Sequence, residues 1–484
     1  MSAAFDDATA QAEQVRTGQA TPEHLLAAAL ARINALNPTL NAVVIPTYER
    51  AAEEAADLPP DGPFRGVPYL MKDLTLTTKG DLTCQSIPGI RRHGHQGEFD
   101  SYYIRRMRQA GFVLAGKTNL PQMGLSYTTE PACWGPARNP WNTRYSTGGS
   151  SGGSCAAVSA GMVSVAHAND GGGSIRVPAS HCGVIGLKGS RGRVSAGPAV
   201  NASDDVSGLA SEMCVARTAR DVAAVLDIVG GRNPGDTYAA PPPRKPYVLE
   251  LDQRPATLRI GMLLNDPTGA DEVAPCVAST VLEVGRYLET HGHVVSEQYP
   301  RALRHGPWPE PMRRALPVVL YREIERWSRR IGRELGPGDF ENPSVWERAQ
   351  ASTSVGAADY AAGVDSLRYR AREIEQWWFD GWDLLVCPVT PYPPQELGLP
   401  IDDHRLMSGA TFTVPFNISG QPAVSVPVGF TPDGLPIGVQ LVAAYGREDL
   451  LVQLISLLEK HYRWGDQHPG LDARQPDDRC QEES

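Results

Sequence analysis

One run, from Gly148 to Ala179, constrains this chain more than any other: GGSSGGSCAAVSAGMVSVAHANDGGGSIRVPA. Two glycine-rich loops bracket a helical stretch of small residues, Ser154 to Ala160, which other backbone can approach closely, and a short strand that begins at Met162. Gly171, Gly172 and Gly173 carry no side chains, so their N–H groups can converge on one point. Convergent N–H groups seat an anion or a developing oxyanion. Ser174 follows at once as a candidate nucleophile, and a serine nucleophile requires a base. Ser150 and Ser151, at the start of the helical stretch, offer hydroxyls but no base.

Other readings of the same residues stand beside this one. By composition alone GGSSGG is a flexible linker and DGGGS a turn. GGSSG also satisfies G-x-S-x-G, the nucleophile elbow, which needs a buried apolar strand directly before it. The preceding residues, Asn139 to Thr147, are polar and include Pro140, so Ser150 is a poor elbow nucleophile. The missing base is upstream, in Gly66-Val-Pro-Tyr-Leu-Met-Lys72-Asp73, a short apolar strand ending in a lysine. Burial disfavours a charged amine and lowers its pKa, and neutral lysine is a competent general base.

Lys72 in its VPxxxKD context, GGSSGGS and D-x-G-G-S-I-R-x-P-A, with the interval from Ser150 to Ser174, together resemble the amidase signature family. The resemblance implies Ser174 as nucleophile and Ser150, after a cis peptide bond, as proton relay to Lys72. The oxyanion hole would be the backbone of Gly171, Gly172, Gly173 and Ser174. Ser151 would orient Lys72, and Asp170 and Arg176 would support the loop. The all-glycine loop departs from the family pattern, keeping the donors while widening the acyl pocket. The implied fold is α/β, a single domain over residues 1–484 with a mixed sheet wrapped by helices. Its core would span about residues 20–465, with the signature core at 66–230. GVPYLMKDLT, GFVLAGKTN, TTEPACWGPARNPWN and VAAYGREDLL resemble the branch of the family that opens cyclic nylon oligomers. That implies 6-aminohexanoate oligomers, cyclic dimer included, as substrates, with no metal and no organic cofactor. A methylene acyl chain needs an apolar channel, and the helices over about residues 300–382 would supply it through Leu316, Trp327 and Trp377. The same side chains also read as plain helix packing. The alternatives are a carbamate, aryl-amide or peptide-amide hydrolase, or the A subunit of the amidotransferase of glutaminyl-tRNA formation, which would need partner subunits.

With 484 residues, length alone suggests about three domains, but strands interleaved with helices throughout argue one large α/β unit. The net charge of −10 argues against nucleic acid and anionic membrane surfaces. No apolar run reaches membrane-spanning length, and the acidic N-terminus, Met-Ser-Ala-Ala-Phe-Asp-Asp, has no leader-like apolar region. The 8 cysteines form no C-x-x-C pair, as expected of reduced thiols in a cytoplasmic protein. A small-molecule amide is the expected partner, and a homodimer is allowed. His93-Gly-His95 reads as a surface loop and His291-Gly-His293 as a helix cap, neither as a zinc site. Gly116-Lys117-Thr118 lacks the full phosphate-loop pattern, which leaves Lys117 a structural residue. Local signals predict a helix from Thr21 that stops at Asn37-Pro38 and strands at 41–46 and 112–115. They also predict helices at 48–56 and 218–230, a linker over 232–257 and a strand–helix–strand unit from Leu258 to Val295. A hairpin around Thr431-Pro-Asp-Gly434, a helix over 448–461 and a frayed tail of about twenty residues complete the chain.

Overall fold

The computed structural model describes residues 5–199, 208–400 and 403–471. The first four residues, on which the leader-free reading partly rests, and the tail from 472 lie outside the described residues. Among the described residues eleven strands form one mixed sheet: β1 (Val43–Pro46), β2 (Pro68–Lys72), β3 (Val113–Thr118), β4 (Val165–Asp170), β5 (Ile185–Lys188), β6 (Ser211–Ala216), β7 (Arg259–Met262), β8 (Val294–Ser296), β9 (Leu384–Pro388), β10 (Ala423–Phe430) and β11 (Pro436–Ala443). Their spatial order is β1-β3-β2-β4-β6-β5-β10-β11-β9-β7-β8. Helices cover the sheet, and the main core runs between them from Leu26 and Ile33 through Tyr69 and Val165 to Leu454.

What positions the site is the parallel pairing at one end of this sheet. β2 lies between β3 and β4 and runs parallel to both, with Tyr69 opposite Val165 and Lys72 opposite Thr118. Lys72 and Asp170 therefore close their strands at the same edge, outside the carboxyl ends of parallel strands, where open α/β sheets place their ligand sites. Every residue of β2 and β4 is buried. The helix Gly152–Ser159, whose residues are all buried, packs on them. Its small side chains make that approach possible: a Cβ at Gly153 would stand 2.5 Å from Asn119 N and 2.6 Å from Ala42 O.

Elements with strong local signals lie where expected. Helix Tyr48–Ala56 matches its predicted range, helix Ala219–Val229 is capped by Thr218 accepting from Asp221 N, and β10 and β11 form the hairpin. His291 is the C-cap of helix Pro275–Thr290, and His293 Nδ1 accepts from Leu258 N. Other boundaries differ. Helix Pro22–Leu40 runs through Pro38 and stops at Asn41, which takes a left-handed φ of 49°. Asn37 holds that end, exchanging hydrogen bonds of 2.8 Å with both the N–H and the C=O of Val43. β3 continues past Ala115 to Thr118 because β2 pairs with Gly116, Lys117 and Thr118 beyond a bulge at Ala115, and Lys117 is buried with Nζ 2.7 Å from Leu82 O. The expected linker over 232–257 contains a short 3-10 turn, Tyr247–Glu250, pinned by the Asp227 carboxylate. No helix among the described residues is long and apolar enough to cross a membrane.

Candidate active site

Lys72 leaves the end of β2 fully buried, and three oxygens surround its Nζ. Ser150 Oγ is at 2.7 Å, Ser151 Oγ at 3.0 Å and Asn169 Oδ1 at 2.6 Å. Burial, only partly offset by the carboxylates of Glu212 and Asp170, brings the Lys72 ammonium down to about 7. The peptide bond between Gly149 and Ser150 is cis. Ser151 N donates to Ser174 O at 3.2 Å, tying the two glycine loops together.

The loop after β4 is shaped by an ion pair beneath it. Arg176 Nε and Nη2 each lie 2.9 Å from an oxygen of Asp170, and both side chains are fully buried. Burial alone would raise the Asp170 pKa, but the Arg176 charge and its hydrogen bonds outweigh that and hold the carboxyl well below the usual range. The remaining Arg176 hydrogens are taken by Thr413 O, Gln440 Oε1 and Asn417 Oδ1. Asp170 in turn accepts from Gly173 N at 2.7 Å. That bond corrects the sequence expectation for Gly173: its N–H points to the carboxylate and not to a shared anion seat. The carbonyl of the same peptide, Gly172 O, accepts from Tyr127 Oη at 2.8 Å and lies 2.5 Å from Thr413 Oγ1. The N–H groups of Gly171, Gly172 and Ser174 have no partner among the described residues. At Gly173, with φ of 132°, a Cβ would come within 2.5 Å of Thr413 Oγ1, so the loop requires glycine there. At Gly171 nothing lies nearer than 3.9 Å, which leaves open space at that point of the loop.

Ser150, Gly171, Gly172 and Ser174 open into a cavity of about 340 Å³. Leu74, Met123, Leu125, Leu209, Trp308, Leu316, Val319 and Met407 give it apolar walls, and Gln85, Tyr127 and Glu323 are among its polar side chains. Leu316 is thus on the cavity wall. Trp327 and Trp377, expected there, are not. Trp327 lies on the same helix, Glu310–Ile331, but packs edge-on against His95 in a cluster with Ile87 and Phe340. Trp377 stacks on Trp382 at 4.8 Å, and its ring reaches the space left by Gly261. Helical spacing explains Trp327: about three turns beyond Leu316 and one beyond Glu323, it lies past the last residue of that helix on the cavity wall. The sequence reading also missed Asn169, Thr75, Glu212, Tyr127, Thr413 and Asn417. Asn169 and Thr75 lay within the quoted stretches, whereas Glu212, Tyr127, Thr413 and Asn417 lay outside them.

The family model for Amidase matches residues 24–452. The chain belongs to the amidase signature family and is a hydrolase acting on carbon–nitrogen bonds. It is similar to the 6-aminohexanoate-cyclic-dimer hydrolase of Paenarthrobacter ureafaciens, 46% identical over 96% of this chain and 97% of that protein. Among solved structures, it resembles that of a 6-aminohexanoate cyclic dimer hydrolase, with a TM-score of 0.93 and 45% identity over 97% of this chain and 99% of the other. A bacterial aryl acylamidase matches with a TM-score of 0.85 at 25% identity, over 97% and 99% of the two chains.

Proposed function

We propose that the protein hydrolyses the amide bonds of 6-aminohexanoate oligomers, the cyclic dimer included, through an acyl-enzyme on Ser174. The observation that carries this is the contact of Lys72 with Ser150 at the edge of an apolar cavity that also holds Ser174. Lys72, neutral above about pH 7, accepts the Ser150 hydrogen while Ser150 accepts that of Ser174. The Ser174 oxygen attacks the amide carbonyl, and the N–H groups of Gly171, Gly172 and Ser174 stabilise the tetrahedral oxyanion. The proton returns through Ser150 to the leaving nitrogen, whose bond to carbon breaks. Water then attacks the ester by the same route and releases the acid. Ser151 and Asn169 orient Lys72, and the Asp170–Arg176 pair holds the loop.

The substrate class is supported by the apolar walls, which suit a methylene chain, and by the relative's activity. A parallel assay of the cyclic dimer, linear oligomers, an anilide and a dipeptide amide tests it. Release of 6-aminohexanoate dimer from the cycle is the expected result. Turnover of the anilide or the dipeptide amide alone would leave only the general amidase activity.

A further inference from the structure

We propose that Glu212, acting through Thr75 and Asn169, fixes the direction in which the proton passes from Ser174 to Lys72. This rests on the reading of Lys72 as the base. The argument is an accounting of hydrogens along a buried chain. As a carboxylate Glu212 can only accept, and its Oε1 lies 2.6 Å from Thr75 Oγ1, which therefore donates to it. Having given its hydrogen, Thr75 accepts from Asn169 Nδ2 at 2.9 Å. The Asn169 amide is thereby oriented with Oδ1 toward Lys72 Nζ, where it takes one amine hydrogen at 2.6 Å. The Ser151 hydroxyl donates to Asn169 O at 3.3 Å, so its lone pair takes the second at 3.0 Å. A neutral amine then has only its lone pair left, and that faces Ser150 Oγ. Ser150 must donate to Lys72 and is free to accept from Ser174.

Two further observations indicate that the chain is held in place. Thr75 adopts a φ of 62°, a backbone conformation that β-branched residues rarely take. Glu212 Oε2 is fixed at 2.9 Å from His167 Nε2, which carries the hydrogen between them, and the His167 ring packs edge-on against Tyr103 at 4.9 Å. Without the carboxylate, the Thr75 hydrogen could turn to Leu74 O, 2.7 Å away, and Asn169 would lose its fixed orientation. The other groups that act on the Lys72 charge are Asp170, which is paired with Arg176, and the Cys155 thiol.

The test needs no knowledge of the substrate. A fluorophosphonate phosphonylates the nucleophile: the oxygen–phosphorus bond forms, fluoride leaves and the proton passes to the base. Its rate is followed by intact mass at a series of pH values. In the wild type the rate should rise through the Lys72 transition. Glu212→Gln removes a negative charge and should move the midpoint down by roughly one pH unit, with a plateau about tenfold lower. Asn169→Asp adds a negative charge and should move it up by a similar amount. Thr75→Ala should lower the plateau, and Thr75→Ser should restore it. If Glu212→Gln does not fold, the Asn169 and Thr75 variants decide. Midpoints unchanged in Glu212→Gln and Asn169→Asp, or a wild-type plateau in Thr75→Ala, would overturn the proposal while leaving Ser174 as nucleophile. A wild type that takes no label on Ser174 would bring down the catalytic reading itself, and the proposal with it.

Discussion

Lys72 Nζ and Ser150 Oγ stand 2.7 Å apart, and both side chains are buried. One comes from the end of a parallel strand and the other from the first glycine loop, directly after its cis peptide bond. The strand provides the burial that lowers the amine pKa to about 7. The loop brings to it a hydroxyl with no other acceptor among the described residues.

The first prediction is a pH profile. Because burial lowers the Lys72 pKa to about 7, the neutral, proton-accepting form gains as pH rises. kcat/KM should climb through about pH 7 and level off above it. Lys72→Ala should lose about 10²–10⁴ in kcat or more, since the relay is broken as well as the base removed. A Lys72→Ala enzyme with the wild-type profile would rule out this base.

Ser174→Ala should abolish turnover and fluorophosphonate labelling while leaving the melting temperature near that of the wild type. The measurements are steady-state kinetics, intact mass and a thermal melt. An acyl group found on Ser150 would reassign the nucleophile.

Leu316 lies on the wall of a cavity of about 340 Å³. Leu316→Trp should fill part of that space and raise KM for the oligomers about tenfold, as expected for losing one to two kcal/mol of apolar contact. Labelling of Ser174 by a small fluorophosphonate should change little. Trp377→Leu, at a site stacked on Trp382 and away from the cavity, should alter stability and leave KM unchanged.

Arg176→Met should leave the buried Asp170 carboxylate unpaired and destabilise the fold by about 3–5 kcal/mol, measured by urea unfolding near neutral pH. The folded Asp170 pKa is depressed, so the pair's contribution is present above the unfolded value of 3.8 and is lost only as pH falls through the lower folded value. The difference between variant and wild type should therefore be largest near neutral pH and shrink as pH falls, first as the variant's unpaired carboxyl, raised by burial, takes up a proton and last as the wild-type pair is lost in strong acid.

Lys188 is buried, and among the described residues its one hydrogen-bond partner is Gly189 O at 3.0 Å. Burial, with Arg176 nearby, lowers its pKa from 10.5 to about 7. Between those values the unfolded chain holds a proton that the folded chain has released, so stability rises with pH across that window. Lys188→Met should raise the melting temperature, and by more at pH 6 than at pH 9. Equal gains at both would show that the folded amine is not shifted.

Short-range physics made much of this chain legible in its sequence. Thr218 caps its helix, Thr431 to Gly434 turns its hairpin, and the small residues after Gly152 allow close packing, because a cap, a turn and a missing side chain act within a few residues. The same holds for the apolar strand that ends in Lys72 and for the two glycine loops. Tertiary structure decided what depends on partners distant along the chain. The Gly173 N–H turned to Asp170 because Asn417 and Thr413, on a helix distant along the chain, fix that carboxylate and the neighbouring peptide. Leu316 meets the cavity while Trp327, on the same helix, does not, because composition names large apolar residues but not the neighbour each will face. Thr75 and Glu212 join Lys72 through Asn169 only once β2, β4 and β6 lie side by side, and hydrogen-bond direction among buried groups is set by that assembly.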